Sequence, residues 1–137
     1  MPGYSGTPLP KKLGIKDGFR VRFVAAPSEV LAELKAALAA CQMIRTEKTA
    51  LDFAMLFTFS KTELAREFKG IATLLAPAGM LWVSWPKKSS GVATDLDENV
   101  VREIGLAAGL VDVKVCAVTE IWSGLKFVRR VKDRVTR

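Results

Sequence analysis

Histidine is absent from this chain, and cysteine occurs only twice, as Cys41 and Cys116. The first absence removes the commonest general base, the serine and cysteine triads that depend on an imidazole, and most zinc sites. The two cysteines form no CxxC pair and have no metal-ligand spacing. Long apolar runs are also missing. Stretches such as Ile71 to Leu75 and Gly79 to Val83 fall far short of the roughly 20 residues that span a bilayer. The opening MPGYSGTPLPKK has no apolar run behind a basic start, so no signal peptide is expected. These absences point to a soluble, cytoplasmic protein with no membrane contact. They also leave only carboxylates, lysines, a cysteine or a bound cofactor on which catalysis could rest.

What is present is the composition of a globular domain. Of 137 residues, 50% are hydrophobic and 26% charged, enough for one domain over residues 1–137 with its own core. The net charge of +7 is unevenly spread. Residues 1–8 read as a flexible arm. Residues 129–137 form a basic tail in which Arg129, Arg130, Lys132, Arg134 and Arg137 face only Asp133. A second basic cluster comprises Lys11, Lys12, Lys16, Arg20 and Arg22. Basic patches attract phosphates and acidic partners, although a solvated face explains them more plainly.

Periodicity gives the order of elements. Leu9 to Ile15 suits one helical turn packed on a sheet, and Asp17-Gly18 is a turn. Phe19 to Ala26 alternates as a strand. Arg22 places it at or near a sheet edge, because a central parallel strand is apolar on both faces. A helix from Ser28 carries Val30, Leu31, Leu34 and Leu38 on one stripe. Residues 41–48 are ambiguous between strand and loop. Leu51 to Phe59 reads as a buried central strand. Ser60 and Glu63 have capping-box spacing before a helix with Leu64, Phe68, Ile71 and Leu75 inward, and Pro77 and Gly79 close the connection that follows.

Met80 to Trp85 is the next strand. Thr94 or Asp95 is expected to cap a helix bearing Leu96, Val100, Ile104 and Ala107. Val111 to Val118 alternates with Val111, Val113, Val115 and Ala117 inward, and Leu125 to Val131 returns as its hairpin partner. The order predicts a three-layer α/β sandwich with a mostly parallel, Rossmann-like sheet and a closing antiparallel hairpin. Its strand order should be the first strand, Leu51–Phe59, Met80–Trp85, the final strand, then Val111–Val118.

The candidate site follows from where strands end, because open α/β sheets bind ligands beyond the carboxyl ends of their strands. Pro86 stops a strand there and opens Lys87, Lys88, Ser89, Ser90 and Gly91: two lysines, two hydroxyls and a glycine that could cradle an anion. This is not a P-loop, since the GxxxxGK[ST] order is missing; a plain solvated turn is the alternative. Ala26, Pro27 and Ser28 are expected beside it, with a helix start whose N–H groups point into the same crevice. Trp122, expected to be more exposed than Trp82 and Trp85, is a secondary candidate for partner contact with Arg129 and Arg130, although hairpin packing also explains it. Cys116 next to Lys114 could have a lowered pKa. Asp95, Asp97 and Glu98 look like metal ligands, but helix capping accounts for them, so no metal is expected.

The second half, with LDFAMLFTF as fourth strand, GMLWVSW as fifth, and VDVKVCAV with LKFVRRV as hairpin, resembles the carboxyl-terminal half of Rossmann-like S-adenosylmethionine-dependent methyltransferases. More closely, KKLGIKDG, LWVSWPKKSSG and GLVDVKVCAVTEIWSGLKFVRR resemble a family of short bacterial proteins to which no activity is assigned. The resemblance implies a shortened methyltransferase-like fold. It departs from true methyltransferases at Ala25-Ala26-Pro27-Ser28, where those enzymes have a glycine-rich turn for close cofactor approach. The ribose-binding acid also has no counterpart beyond Glu47. The chain is short by about one β-α unit of ~30 residues.

The expectation is therefore a non-catalytic binding or interaction module without a cofactor. A degenerate enzyme acting on a small anionic or nucleotide ligand is the alternative, and nucleic-acid binding through the basic ends the third. Its partner is expected to be a small anion or an acidic protein, and an exposed sheet edge would allow a homodimer.

Overall fold

In the computed structural model, which describes residues 6–45 and 50–134, helices and strands alternate along most of the chain. They are α1 (Leu9–Leu13), β1 (Arg20–Val24), α2 (Ser28–Leu38), β2 (Gln42–Met43), β3 (Leu51–Phe57), α3 (Lys61–Ala72), β4 (Leu75–Pro86), α4 (Glu98–Ala107), β5 (Leu110–Ala117) and β6 (Trp122–Arg129). One six-stranded sheet has the order β2-β1-β3-β4-β6-β5. Pairing is parallel through β4 and antiparallel in the closing hairpin. The expected strand order holds, with β2 added outside β1. The ambiguous stretch supplies that two-residue strand; its residues 46–49 lie outside the described residues, as do 1–5 of the arm and 135–137 of the tail.

Burial explains the layering. β3 is apolar at nearly every position and buried on both sides, as a strand between two helical layers must be. On one face, Leu9 and Leu13 of α1 and Val30 and Leu34 of α2 pack on Phe53, Met55, Phe57 and Trp82. On the other, Leu64, Phe68 and Ile71 of α3 and Val101 of α4 pack on Ala54, Leu56, Leu81 and Trp85. Trp82 and Trp85 thus take opposite faces. The Trp82 indole is fully buried and donates to the Leu13 carbonyl at 2.9 Å, so its polar atom is satisfied as burial demands.

Several expectations are corrected by packing. Leu75 belongs to β4 rather than α3, and Pro77 and Gly79 lie within that strand. The ladder slips between Leu51↔Leu75 and Phe53↔Met80, and a Cβ on Gly79 would stand 2.4 Å from the Leu51 carbonyl oxygen. Only glycine tolerates that approach. The cap of α4 is Asp97, whose carboxylate accepts from Val100 N at 2.8 Å, not Thr94 or Asp95. Its most buried positions are Val101 and Gly105, with Val100 and Ile104 partly buried and Ala107 exposed.

In β5, Val113 and Val115 are 53% and 51% exposed instead of inward. The register shifts between Asp112↔Phe127 and Lys114↔Lys126, leaving Val113 as an extra, bulged residue. A bulge interrupts the period-two alternation. Beyond it, Lys114 and Cys116 share one face, while Asp112 lies on the other and pairs with Arg102 at 2.9 Å. Bulges and charges also blunt an edge strand against pairing with another copy, which removes support for a dimer through β5.

β1 and β3 are joined by more than their ladder. Asp52 accepts from Arg20 N at 2.8 Å and from Arg20 Nε at 3.2 Å. Burial pushes the Asp52 carboxyl up, but the side-chain and backbone hydrogen bonds and the charge of Arg20 together hold it below the ordinary carboxylate range. A lowered folded-state pKa adds stability that is present above the unfolded value, about 4, and lost as pH falls through the folded one. Asp52→Asn should therefore destabilise the protein at pH 7, and the penalty should vanish in strong acid. Urea melts of both proteins at a series of pH values check this; a penalty independent of pH would refute it.

Candidate functional site

The carboxyl edge of the sheet gathers three loops. The first follows β1: Ala25 has φ +57, Pro27 precedes α2 in an extended conformation, and no side chain caps that helix. Ala25 thus takes the left-handed conformation that the sequence, lacking glycine there, was not expected to supply. An L-residue in that region carries about 1–2 kcal/mol of strain. The second loop follows β3. Thr58 is buried, and Phe59 is 50% exposed. Ser60 accepts from Glu63 N at 3.1 Å. The return half of the capping box is not made, because the Glu63 carboxylate accepts instead from Thr58 Oγ1 at 2.6 Å.

The third loop follows β4. Lys88–Ser90 form a 3-10 turn that ends on Gly91 at φ +78. Ser90 Oγ donates to the Lys87 carbonyl at 2.6 Å and accepts from Val92 N at 3.1 Å. Lys87 N donates to the Ile121 carbonyl at 2.7 Å, which ties the loop to the β5–β6 turn. The Ser90 hydroxyl therefore shapes the loop. Lys87 is half-exposed and Lys88 and Ser89 are exposed, and neither lysine has an ion pair among the described residues.

These loops do not converge as the sequence suggested. β3 lies between β1 and β4, so Ala26–Ser28 and Lys87–Gly91 emerge two strand spacings apart, about 10 Å. The neighbour of the lysine loop is Thr58–Ser60. Its exposed ring, Phe59, packs on Trp122 with centroids 5.2 Å apart, and Val92 and Ile121 add further exposed apolar surface. Sequence reading missed Phe59 by counting it as the end of a buried strand, although a residue directly before a helix-capping serine has already left the sheet.

The carboxylates along this edge are engaged in holding it. Glu63 accepts from Thr58, Asp95 accepts from Lys61 N at 2.7 Å, and Asp97 caps α4. Thr94 Oγ1 donates to the Phe59 carbonyl. Loop 92–97 is thereby stitched to the start of α3.

The secondary candidates are placed elsewhere. Trp122 is only 6% exposed and stacks edge-on against Phe57 at 5.1 Å, so its ring is part of the core. Arg129 Nη2 donates to the carbonyls of Ala72 and Leu75 at 3.0 and 2.7 Å; this guanidinium ties β6 to the end of α3. Arg130 is exposed. Burial pushes the Cys116 thiol up, outweighing the opposing effect of Lys12 and Lys114, so it is not an activated nucleophile.

The basic cluster near the start divides between the two faces. Lys12 Nζ donates to the Ala117 carbonyl and Lys114 Nζ to the Lys12 carbonyl. Burial, then Lys114 and Lys16, push the Lys126 ammonium below its ordinary value. Arg20 pairs with Asp52. Arg22 lines a cavity of about 660 Å³ on the opposite side from α1, where β1, the residues after β2 and α3 meet.

No protein-family model and no curated protein matches the sequence. Solved structures do match. Magnesium protoporphyrin IX methyltransferase from Synechocystis superposes with a TM-score of 0.59 at 14% identity, over 89% of this chain and 78% of that one. A putative methyltransferase from Thermoplasma acidophilum gives 0.57 at 10% identity, over 90% and 75%. A SAM-dependent methyltransferase from Aquifex aeolicus gives 0.54 at 16% identity, over 85% of each chain. At such identities the likeness concerns architecture. The chain has a shortened, methyltransferase-like Rossmann fold, in which a mostly parallel sheet closes with an antiparallel hairpin.

Proposed function

We propose that this protein is a non-catalytic binding module on a methyltransferase-like scaffold, and that it engages an anionic partner at the carboxyl edge of its sheet. The observation that carries the reading is the division of labour at that edge. The acids there hold backbone and hydroxyl groups in place, no histidine exists in the chain, and Lys87 and Lys88 stand without acidic partners among the described residues beside the half-exposed Phe59. Such a surface attracts and orients an anion, but holds no group placed to move a proton. A degenerate enzyme acting on a small anionic or nucleotide ligand is the second reading, favoured by the left-handed turn at Ala25, which keeps a backbone shape suited to close ligand approach.

Calorimetry separates the two. Titration with S-adenosylmethionine should give no binding; a dissociation constant in the low micromolar range, roughly −8 kcal/mol, would restore the enzyme reading. Titration with ATP, pyrophosphate and polyglutamate tests the anion site. The double variant Lys87→Ala, Lys88→Ala should abolish whichever interaction is seen and leave the melting temperature unchanged, because both side chains reach solvent. Undiminished binding by the double variant would reduce the loop to a connection. Nucleic-acid binding through the basic ends would instead show as affinity for DNA or RNA that falls steeply with salt.

A further inference from the structure

Parallel strands are normally joined by roughly a dozen residues or more, usually including a helix that covers the sheet. The β1–β2 link has α2 on one face, and the β3–β4 link has α3 on the other. The link from β2 back to β3 consists of residues 44–50 alone. A right-handed crossover places that link on the α3 face, yet it is too short to bring a covering helix. The 660 Å³ cavity lies at this position. Arg22 and Val24 of β1 form its floor, Ile44 its outer side, and Gly70 and Ile71 of α3 its wall.

Two features of the lining indicate what fits. The first is charge. Arg22, Arg45 and Arg66 line the cavity against a single acid, Glu67. Arg66 approaches Glu67 only at 4.0 Å with both side chains substantially exposed, a geometry worth little in water. Arg45 has no ion pair among the described residues. The second is Gly70. Glycine inside a helix is unfavourable relative to alanine, yet a Cβ there would meet nothing and its φ is not positive. Nothing within this fold requires a glycine. With Thr73 one turn on, it leaves a shallow stripe over which another helix can approach to the usual 8–10 Å.

We propose that this groove docks an acidic amphipathic α-helix from a partner protein, seated where a crossover helix covers the sheet elsewhere. Its apolar stripe lies on Val24, Ile44 and Ile71, and its flanking carboxylates meet the arginines. A second copy of this chain, at +7 net charge, is the poorer electrostatic match. This interface is separate from the lysine loop on the carboxyl edge.

The probe is a synthetic helical peptide with leucines at i, i+3, i+4 and i+7 flanked by glutamates, with a counterpart in which lysine replaces each glutamate. The acidic peptide should bind at least tenfold more tightly and shift the amide resonances of Arg22–Val24 and Arg66–Leu74. Arg22→Ala with Arg66→Ala should weaken it at least tenfold. Gly70→Leu should abolish binding while keeping or raising the melting temperature, since its side chain enters open space. Lys87→Ala with Lys88→Ala should leave peptide affinity unchanged, so failure here and failure at the edge are distinguishable. Equal affinity for both peptides, or binding that survives Gly70→Leu, overturns the proposal. So does a concentration-dependent dimer, or RNA binding, that Gly70→Leu removes, because either assigns the groove to another occupant.

Discussion

Gly105→Ala should destabilise the protein by about 3 kcal/mol, at the upper end of what overpacking by one methyl costs. A Cβ at this position would stand 2.0 Å from Phe127 Cε1 and 2.5 Å from its Cζ. A clash with the end of an exposed side chain would be relieved by rotation, but Phe127 is fully buried. Its ring stacks edge-on against Phe68 with centroids 5.2 Å apart, so moving it disturbs α3 as well. The remaining escape is for α4 to lift from the sheet. That would draw loop 92–97 away from the start of α3, where Asp95 and Thr94 are anchored. Urea denaturation gives the measurement, and a loss under about 0.5 kcal/mol, typical of a neutral surface change, would mean that α4 does not press on β6 as described.

Trp122→Ala should cost about 3–5 kcal/mol, the range for removing a large buried aromatic side chain. The indole is nearly enclosed and supports both Phe57, inside the core, and Phe59, on the surface. Its loss opens a cavity beneath the candidate binding edge and releases Phe59 from its support. An exposed partner-binding tryptophan behaves differently, because its truncation cuts affinity and leaves stability nearly untouched. Thermal and chemical melts of Trp122→Ala therefore decide between a structural and a contact role. Phe59→Ala is the companion measurement: with half of that ring in solvent, its effect should fall on binding rather than on the melt.

The elements that could be read from the sequence are those whose causes are local. Leu51 to Phe57 announces a doubly covered strand by its unbroken apolar character, and the helix beginning at Lys61 is announced by Ser60 three residues before Glu63. Arg22 marked the first strand as lying near an edge, and the structure places only the two-residue β2 beyond it. The lysine loop was legible too, because Pro86 ends an apolar strand and Gly91 permits the left-handed turn that follows. Each of these inferences rests on the properties of neighbouring residues, which the chain carries with it wherever it folds.

Pattern alone misled where ladder register intervened. Val113 and Val115 alternate well enough to suggest a buried face, but the bulge opposite Phe127 and Lys126 breaks the period, and no residue type in VDVKV announces it. Trp122 looked exposed because it follows Thr119, Glu120 and Ile121 in a turn; only the placement of Phe57 and Phe59 beneath the hairpin buries it.

Local chemistry in the chain thus decided the order of elements, the parallel sheet with its closing hairpin, and the loops that reach the carboxyl edge. Tertiary packing decided which groups meet. It put β3 between the two loops expected to share one crevice, gave Glu63 to Thr58 and Asp95 to α3, and forced Ala25 into a conformation its side chain disfavours. It also left the α3 face of β1 without a covering helix. The physical reason is that strand pairing and side-chain burial join residues far apart in sequence, so their outcome depends on the whole sheet rather than on any window of it.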